Sequence, residues 1–294
     1  MNIVVDQNTG GIAMWSNVCD VPRHDVLDAA TKAGIERHVP AQPPFSTTLR
    51  DSMEDVAKSL FAKRRNEPIQ LMQTAASRTF ECVRCVRGAA DNDHRFLFSA
   101  EIDATGQVNL LKLSDINHVT DHGKVVWAQD LSRILQDAVV KRLTILPGPV
   151  VTKVIAAGLR DWGGQSLISR GGVWFFPASC RDKYVAWCER LKPAGICFTH
   201  VEVQVSRNPD FVDHLLTELT NEVGAGLKDI QSDIMNGTAT QDRSVNLRIE
   251  RTQEFLCKIT QYEEITGRTM GDLRRCVDAI KSSLSLQRMV SRSA

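Results

Sequence analysis

The stretch SRGGVWFFPASC, residues 169–180, is the most distinctive run in this sequence. Gly171 and Gly172 can adopt the positive φ angles that a tight turn needs. The next four residues, 173–176, are β-branched or aromatic and favour a strand, which Pro177 then ends. With strand-like residues 165–169 before the glycines, the pattern predicts a hairpin whose aromatic strand is buried.

Two helices are expected immediately before this hairpin, over residues 127–139 and 150–162, separated by LPGP at 146–149. Helix, short turn, helix and hairpin is the element order of a winged helix. Two interpretations stay open: the aromatic strand packs on these helices as core, or the hairpin is the wing of a DNA-binding module. With a further helix and strand up to residue 205, segment 125–205 is predicted to be a winged-helix-like α+β unit.

The N-terminal segment, 1–124, is expected to form a mixed unit with an antiparallel sheet. A small hairpin is predicted within residues 2–16, followed by helices at about 22–34 and 46–65. After Pro68, four strand-like runs are separated by turn-forming residues, which is typical of an antiparallel meander. The fold class is therefore predicted to be α+β.

The C-terminal segment, 206–294, is expected to be an antiparallel helical hairpin. Asn208 and Pro209 are suited to begin a helix, and apolar residues then recur every three or four positions along two long arms. Gly267 is expected to end a helix within the second arm, and Thr269 with Asp272 to restart it.

The apolar stripes on these arms are broader than one pair of helices can cover. A large exposed apolar patch is unfavourable in a monomer, so this surface must be covered by the protein's own body or by another copy. The polar turn near Gly237 favours a projecting hairpin, so the sequence predicts a homo-oligomer, most simply a two-fold dimer, or a protein partner on this segment. The residues expected at the interface are Leu216, Leu219, Val223, Leu227, Ile230, Leu256, Ile259 and Leu273.

The composition limits the classes of function. The 294 residues carry a formal net charge of +1, which gives no global attraction to nucleic acid or to an anionic membrane. No run of about 18 apolar residues is present, so a membrane-spanning helix is not expected. Eight scattered cysteines without a secretion signal predict reduced thiols and a cytoplasmic location.

Two local patterns have possible metal or redox chemistry. Cys82 and Cys85 form C-x-x-C, but they lie in a predicted strand that points them to opposite faces, and no second ligand pair follows. His118 and His122 form H-x-x-x-H next to a glycine, where a loop is expected. Phosphate-loop, dinucleotide and nucleophile-elbow motifs are absent from the sequence. We therefore expect no metal and no cofactor.

These observations favour a non-enzymatic interaction or assembly protein that self-associates through its C-terminal hairpin. The alternative is a nucleic-acid-binding protein that uses the middle block, with phosphate contacts from Lys153, Arg160, Arg170 and Arg181. A hydrolase or metal enzyme comes third, because no nucleophile, base and orienting group can be assembled from spacing.

Overall fold

The computed structural model describes residues 9–16, 19–61, 68–74, 76, 78–86, 93–114, 127–168, 172–236 and 242–293. Helices and antiparallel sheets combine in this part of the chain, which confirms the α+β class. The helices are α1 Arg23–Ala33, α2 Phe45–Leu60, α3 Ala128–Thr144, α4 Gly148–Asp161, α5 Arg181–Leu191, α6 Pro209–Met235, α7 Asp242–Thr266 and α8 Gly271–Ser293. The strands are β1 Thr9–Ser16, β2 Val21–Pro22, β3 Ile69–Gln73, β4 Thr79–Val86, β5 Asp93–Ile102, β6 Val108–Leu113, β7 Ile145–Leu146, β8 Gln165–Ser166, β9 Val173–Pro177 and β10 Cys197–Gln204.

The chain divides into two compact units. Unit 1 comprises residues 1–19, 25–38 and 148–294, and unit 2 comprises 20–24 and 39–147. Helix α3 therefore belongs to unit 2, whereas α4 and the hairpin after it belong to unit 1, so the helix pair of the expected winged-helix order is shared between units. The domain boundaries predicted from the sequence, at residues 124 and 205, refer to segments that would fold independently, and these boundaries stay a prediction.

Unit 2 contains the predicted antiparallel meander, with the strands in the order β3-β4-β5-β6. Helices α2 and α3 supply the apolar cover for this sheet, because Leu49, Met53 and Leu135 lie in one core with Phe80 and Phe98. The four strands are consecutive in the chain, so local turns are enough to fix their order.

Unit 1 contains a second antiparallel sheet, with the strands in the order β10-β1-β9-β8. Strand β1 was expected to form a small hairpin with residues 2–6, which lie outside the described residues; in the structure it pairs with β9 and β10 instead. Gly10 and Gly11 explain this pairing. A Cβ atom at either position would lie 2.3 Å from the ring of Phe175 or Phe176, so only glycine lets β9 lie this close.

The C-terminal segment of unit 1 consists of three long helices, α6, α7 and α8. A C-terminal helical hairpin is present, formed by α7 and α8, and α6 packs beside it. The second arm expected from the sequence thus folds back on itself after Gly267, so that α8 lies against α7. Asn208 accepts a hydrogen bond from Phe211 N at 3.1 Å, as expected of a helix cap. Gly267, with φ of 70°, ends α7, and Glu263 accepts a hydrogen bond from the amide of Met270 just before α8. The capping box of Thr269 with Asp272 stays a prediction.

Ion pairs between the helices define their register. Three ion pairs join α6 to α7 and the turn that follows α7: Asp213–Arg268, Glu222–Lys258 and Asp233–Arg248. The residue number rises along α6 as it falls along α7. Helix α7 is therefore antiparallel to α6. Contacts from Arg274 to Glu263 and from Lys281 to Gln253 show the same for α7 and α8.

We divide these three helices into two halves. The proximal half, nearest Gly267, comprises residues 209–227, 251–266 and 271–282. The distal half, nearest the connection from α6 to α7, comprises residues 228–235, 242–250 and 283–293. The two halves carry different surfaces.

Candidate functional site

Most of the apolar residues expected at an oligomer interface are buried inside unit 1. Leu219, Val223, Leu227, Ile230, Ile259 and Leu273 form one core with Phe175 of β9 and Val205, and Leu216 and Leu256 pack against it half-buried. The chain's own helices and sheet supply the cover that these stripes need. A second copy is not required to shield them, and their role in self-association stays a prediction.

The distal half exposes three other large apolar side chains. Met235 is 79% exposed, Leu286 is 65% exposed and Leu247 is 59% exposed. Among the large apolar residues of the described chain, only Trp127, at 62%, falls in the same range. The ion pair of Arg248 with Asp233 places Met235 and Leu247 at the same level along the helical unit. Leu286 lies five residues after Lys281, which contacts Gln253 of α7, so Leu286 lies at about this level as well.

These three residues were not among the predicted interface residues, because they lie off the apolar stripes of their helices. The sequence does contain a signal for their exposure: a large apolar residue outside the stripe faces solvent when the stripe itself is packed against the core. Leu247, between Arg243 and Arg248, is the clearest case. Their common height on three different helices becomes evident only from the packing.

Of the basic residues predicted for nucleic-acid contact, Arg160 and Arg181 line different cavities. Lys153 and Arg160 are exposed on α4, where Arg160 lies over Trp174. Arg181 lines a different cavity, beside Gly10 and Gly11, and forms an ion pair with Glu202 at 2.5 Å. Arg170 lies outside the described residues. Phosphate contacts by these residues stay a prediction.

A cleft of about 1140 Å³ lies within unit 1. Its walls come from the C-terminal end of α4, strands β8 and β9, helix α5, and the facing sides of α6 and α7. The charged residues on its walls are Arg37, Arg160, Asp161, Lys183, Glu218, Glu222, Arg251, Glu254 and Lys258. The proximal half thus contributes charged side chains to the cleft walls: Lys258 is largely buried there, whereas Arg251 and Glu254 are exposed to solvent.

Two of the cleft's carboxylates have cationic partners. Asp161 accepts from Arg37 at 2.7 Å and lies 2.6 Å from His38 Nε2. Glu222 receives both hydrogen bonds of Lys258, at 3.0 and 3.1 Å. Lys258 is only 11% exposed, and burial lowers the pKa of its ammonium group despite the attraction of Glu222. The nearby Arg160 lowers that pKa further, so the two cations repel each other.

Two arginines of the cleft lie against aromatic rings. The guanidinium of Arg160 is 5.3 Å from the ring centroid of Trp174, and that of Arg251 is 5.7 Å from that of Phe255. Such cation–π contacts hold the planar group in place and leave its N–H donors free at the edge. Trp174 therefore forms part of the cleft wall, while its neighbour Phe175 packs against Phe211 and Tyr262 in the core.

Two polar contacts involve residues of the cleft wall. Tyr262 donates a hydrogen bond to the carbonyl of Gly163 at 2.9 Å, and burial raises the pKa of this phenol. Cys180 donates to the carbonyl of Trp162 at 2.7 Å, and burial raises the pKa of its thiol as well. Both groups are neutral at physiological pH, so they shape the cleft and carry no charge into it.

Of the cysteine and histidine patterns noted in the sequence, the structure describes the C-x-x-C pair. Cys82 and Cys85 are buried in β4 and form no disulfide, and burial raises the pKa of Cys82 to about 12, which disfavours the thiolate that binds metal. Three or more potential ligands do not cluster anywhere among the described residues. His118 and His122 lie outside them.

Comparison with known proteins gave no match to this chain among the models of protein families, the curated proteins or the solved structures. Functional inference therefore depends on the chain's own geometry. Among the helices of the described residues, none is both long and apolar enough to cross a membrane.

Proposed function

We propose that this chain is a non-enzymatic interaction protein that forms a two-fold dimer through the distal half of its C-terminal helices. The observation that carries this proposal is the exposure of Met235, Leu247 and Leu286 at one height of the helical unit. Single exposed apolar residues are ordinary, but three of the four most exposed large ones among the described residues share this half.

The charges of the distal half favour a second copy as the partner. Asp229 of α6 and Arg243 of α7 are both exposed, and neither makes an ion pair with another described residue. Each helix of the distal half also carries the opposite sign, since Lys228 lies beside Asp229 on α6 and Glu250 follows Arg243 on α7. A two-fold interface must be complementary to itself, and a surface that presents both signs of charge suits pairing with a second copy.

The proposed location is the cytoplasm, because all eight cysteines are free thiols in the structure. Four of them, Cys19, Cys197, Cys257 and Cys276, are exposed. An oxidising compartment would leave such accessible thiols open to disulfide formation between copies.

Light scattering on the purified protein at micromolar concentration tests the dimer. We expect the parent to have twice the mass of one chain and Leu247→Asp to have the mass of one chain, because the introduced carboxylate would be buried without a partner. Leu27→Asp is the matched control, since it changes an exposed leucine on α1 and should leave the dimer intact.

Circular dichroism of each variant confirms that its helices remain. A parent with the mass of one chain and no co-purifying protein would contradict the proposal. A Leu247→Asp protein that stays dimeric would place the interface elsewhere and would equally remove the proposed surface.

A further inference from the structure

We infer that the cleft of unit 1 binds a small organic anion whose phosphate or carboxylate faces Arg160 or Arg251 and whose N–H or O–H group donates to Gln165. This site is independent of the proposed dimer surface, because it lies in the proximal half. Three observations carry the inference: the charge of the cleft, the fixed arginines and one unsatisfied acceptor.

The charges of the cleft favour an anion. Once Asp161 and Glu222 are assigned to their partners, three cations and two carboxylates remain on the walls without an ion pair among the described residues: Arg160, Lys183, Arg251, Glu218 and Glu254. The remaining charge is therefore positive. An anion near Arg160 would also relieve its repulsion with Lys258, since both cations face the same space.

The two aromatic-supported arginines suit a planar or tetrahedral anion. A guanidinium presents its N–H groups in a fork that matches the oxygen spacing of carboxylate and phosphate. Because Trp174 and Phe255 already hold the guanidiniums of Arg160 and Arg251, little side-chain entropy is lost when a ligand binds. Such preorganisation is typical of a binding site and is not needed for stability.

Gln165 supplies the evidence for a hydrogen-bond donor on the ligand. It lines the cleft and is 2% exposed, and its Nε2 donates to the carbonyl of Ser166 at 3.3 Å. Its Oε1 accepts no hydrogen bond from any described residue. A buried acceptor without a donor is unfavourable, so a ligand that supplies an N–H or O–H group there gains a hydrogen bond that no described residue provides.

The size of the cleft bounds the ligand. A volume of about 1140 Å³ is at the upper end of small-molecule sites and accommodates a ligand as large as a nucleotide. Glu218 and Glu254 on its helical wall can accept further hydrogen bonds from such a ligand. The inferred ligand class therefore combines one anionic group with several donors.

Isothermal titration calorimetry with two anionic probes and their neutral counterparts tests this inference. Adenosine monophosphate represents the phosphate source and orotate the carboxylate source, while adenosine and uracil lack the anionic group. We expect at least one anion to bind with a Kd below about 1 mM and its neutral counterpart to bind at least about tenfold more weakly.

Variants then locate the bound anion. Arg160→Gln or Arg251→Gln should weaken binding of that probe at least about tenfold, because a charge-assisted hydrogen bond is lost. Arg190→Gln is the matched control, since Arg190 is an arginine of α5 that pairs with Asp28 and does not line the cleft. Gln165→Leu should weaken binding while leaving the thermal unfolding temperature unchanged or higher, because it removes an unsatisfied acceptor.

Three results would overturn the inference. Neither anion binds at concentrations up to about 10 mM; the neutral counterparts bind as well as the anions; or Arg160→Gln and Arg251→Gln both bind like the parent. Unchanged binding by Gln165→Leu would remove the role of the ligand's donor. None of these outcomes affects the mass of the parent, so the dimer proposal is judged separately.

Discussion

The proximal and distal halves of the C-terminal helices are opposite in character. In the proximal half, charged groups such as Lys258 and Glu222 line a cleft, and the apolar residues are packed against the sheet of unit 1. In the distal half, Met235 and Leu247 place large apolar surfaces in solvent. Neither arrangement is what stability alone favours, because stability favours apolar groups inside and charges outside.

This contrast separates the residues that hold the fold from those that are available for function. Ile259 and Leu219 are fully buried, so the fold accounts for them. Arg160, Lys258 and Leu247 contribute little to packing or lie where their burial is costly. The departures from ordinary burial are therefore the candidate functional groups, a small molecule being expected at one half and a second copy at the other.

The largest expected effect comes from a charge placed in the proximal core. Ile259→Asp buries a carboxylate among apolar side chains with no cation assigned to it, and we expect it to lower the free energy of unfolding by more than about 4 kcal/mol. Leu247→Asp, in the distal half, should change the stability of the dilute monomer by no more than about 0.5 kcal/mol. Urea unfolding followed by circular dichroism measures both; equal losses would erase the distinction between the halves.

A smaller difference is expected between two neighbouring aromatic residues of β9. Phe175→Ala should cost about 3–5 kcal/mol, because Phe175 is packed on all sides by the core. Trp174→Ala should cost about 1–3 kcal/mol, because water from the cleft can fill the space beside Arg160. Urea unfolding of the two variants checks this order, and a greater loss for Trp174→Ala would assign this residue to the core rather than the cleft.

The smallest expected effect concerns the Lys258–Glu222 pair. Because burial lowers the Lys258 pKa below its ordinary value of 10.5, the folded state is disfavoured while this group is charged. We expect the double variant Lys258→Met, Glu222→Gln to be as stable as the parent at pH 7, or more stable by about 1–2 kcal/mol.

The pH dependence of this effect follows from its sign. As pH rises towards 10.5, the folded parent releases the Lys258 proton before the unfolded chain does, so the parent gains stability and the advantage of the variant shrinks. Urea unfolding at pH 7 and pH 10 measures the change, with Lys228→Met, an exposed lysine of α6, as the control. A double variant less stable than the parent by more than about 1 kcal/mol at pH 7 would show that the pair holds the fold.

Elements fixed by local signals could be predicted from the sequence. The meander β3–β6 follows from four consecutive strand-like runs with turns between them. Helix ends at Gly34 and Gly267 follow from glycine's access to positive φ, which is 71° and 70° at these positions. Asn208 was recognisable as a cap for the same local reason.

Long-range relations could not be predicted. The pairing of β1 with β9 joins Gly11 to Phe176, and nothing in the intervening sequence specifies it. The apolar stripes of the C-terminal helices were identified from the sequence, but the sheet of unit 1 that packs against them was not. The cleft was also beyond reach, because Arg160, Lys183 and Lys258 come from three helices that meet only in the folded chain.

Hydrogen–deuterium exchange of the intact protein at low and high concentration tests the central claim most directly, since it compares the two halves in one measurement. The account predicts that raising the concentration slows exchange in residues 228–235, 242–250 and 283–293, where a second copy binds. Exchange in the segments that line the cleft, such as 160–166 and 254–261, should stay the same. Exchange that is independent of concentration throughout the chain, or slowed in the proximal half instead, would contradict it.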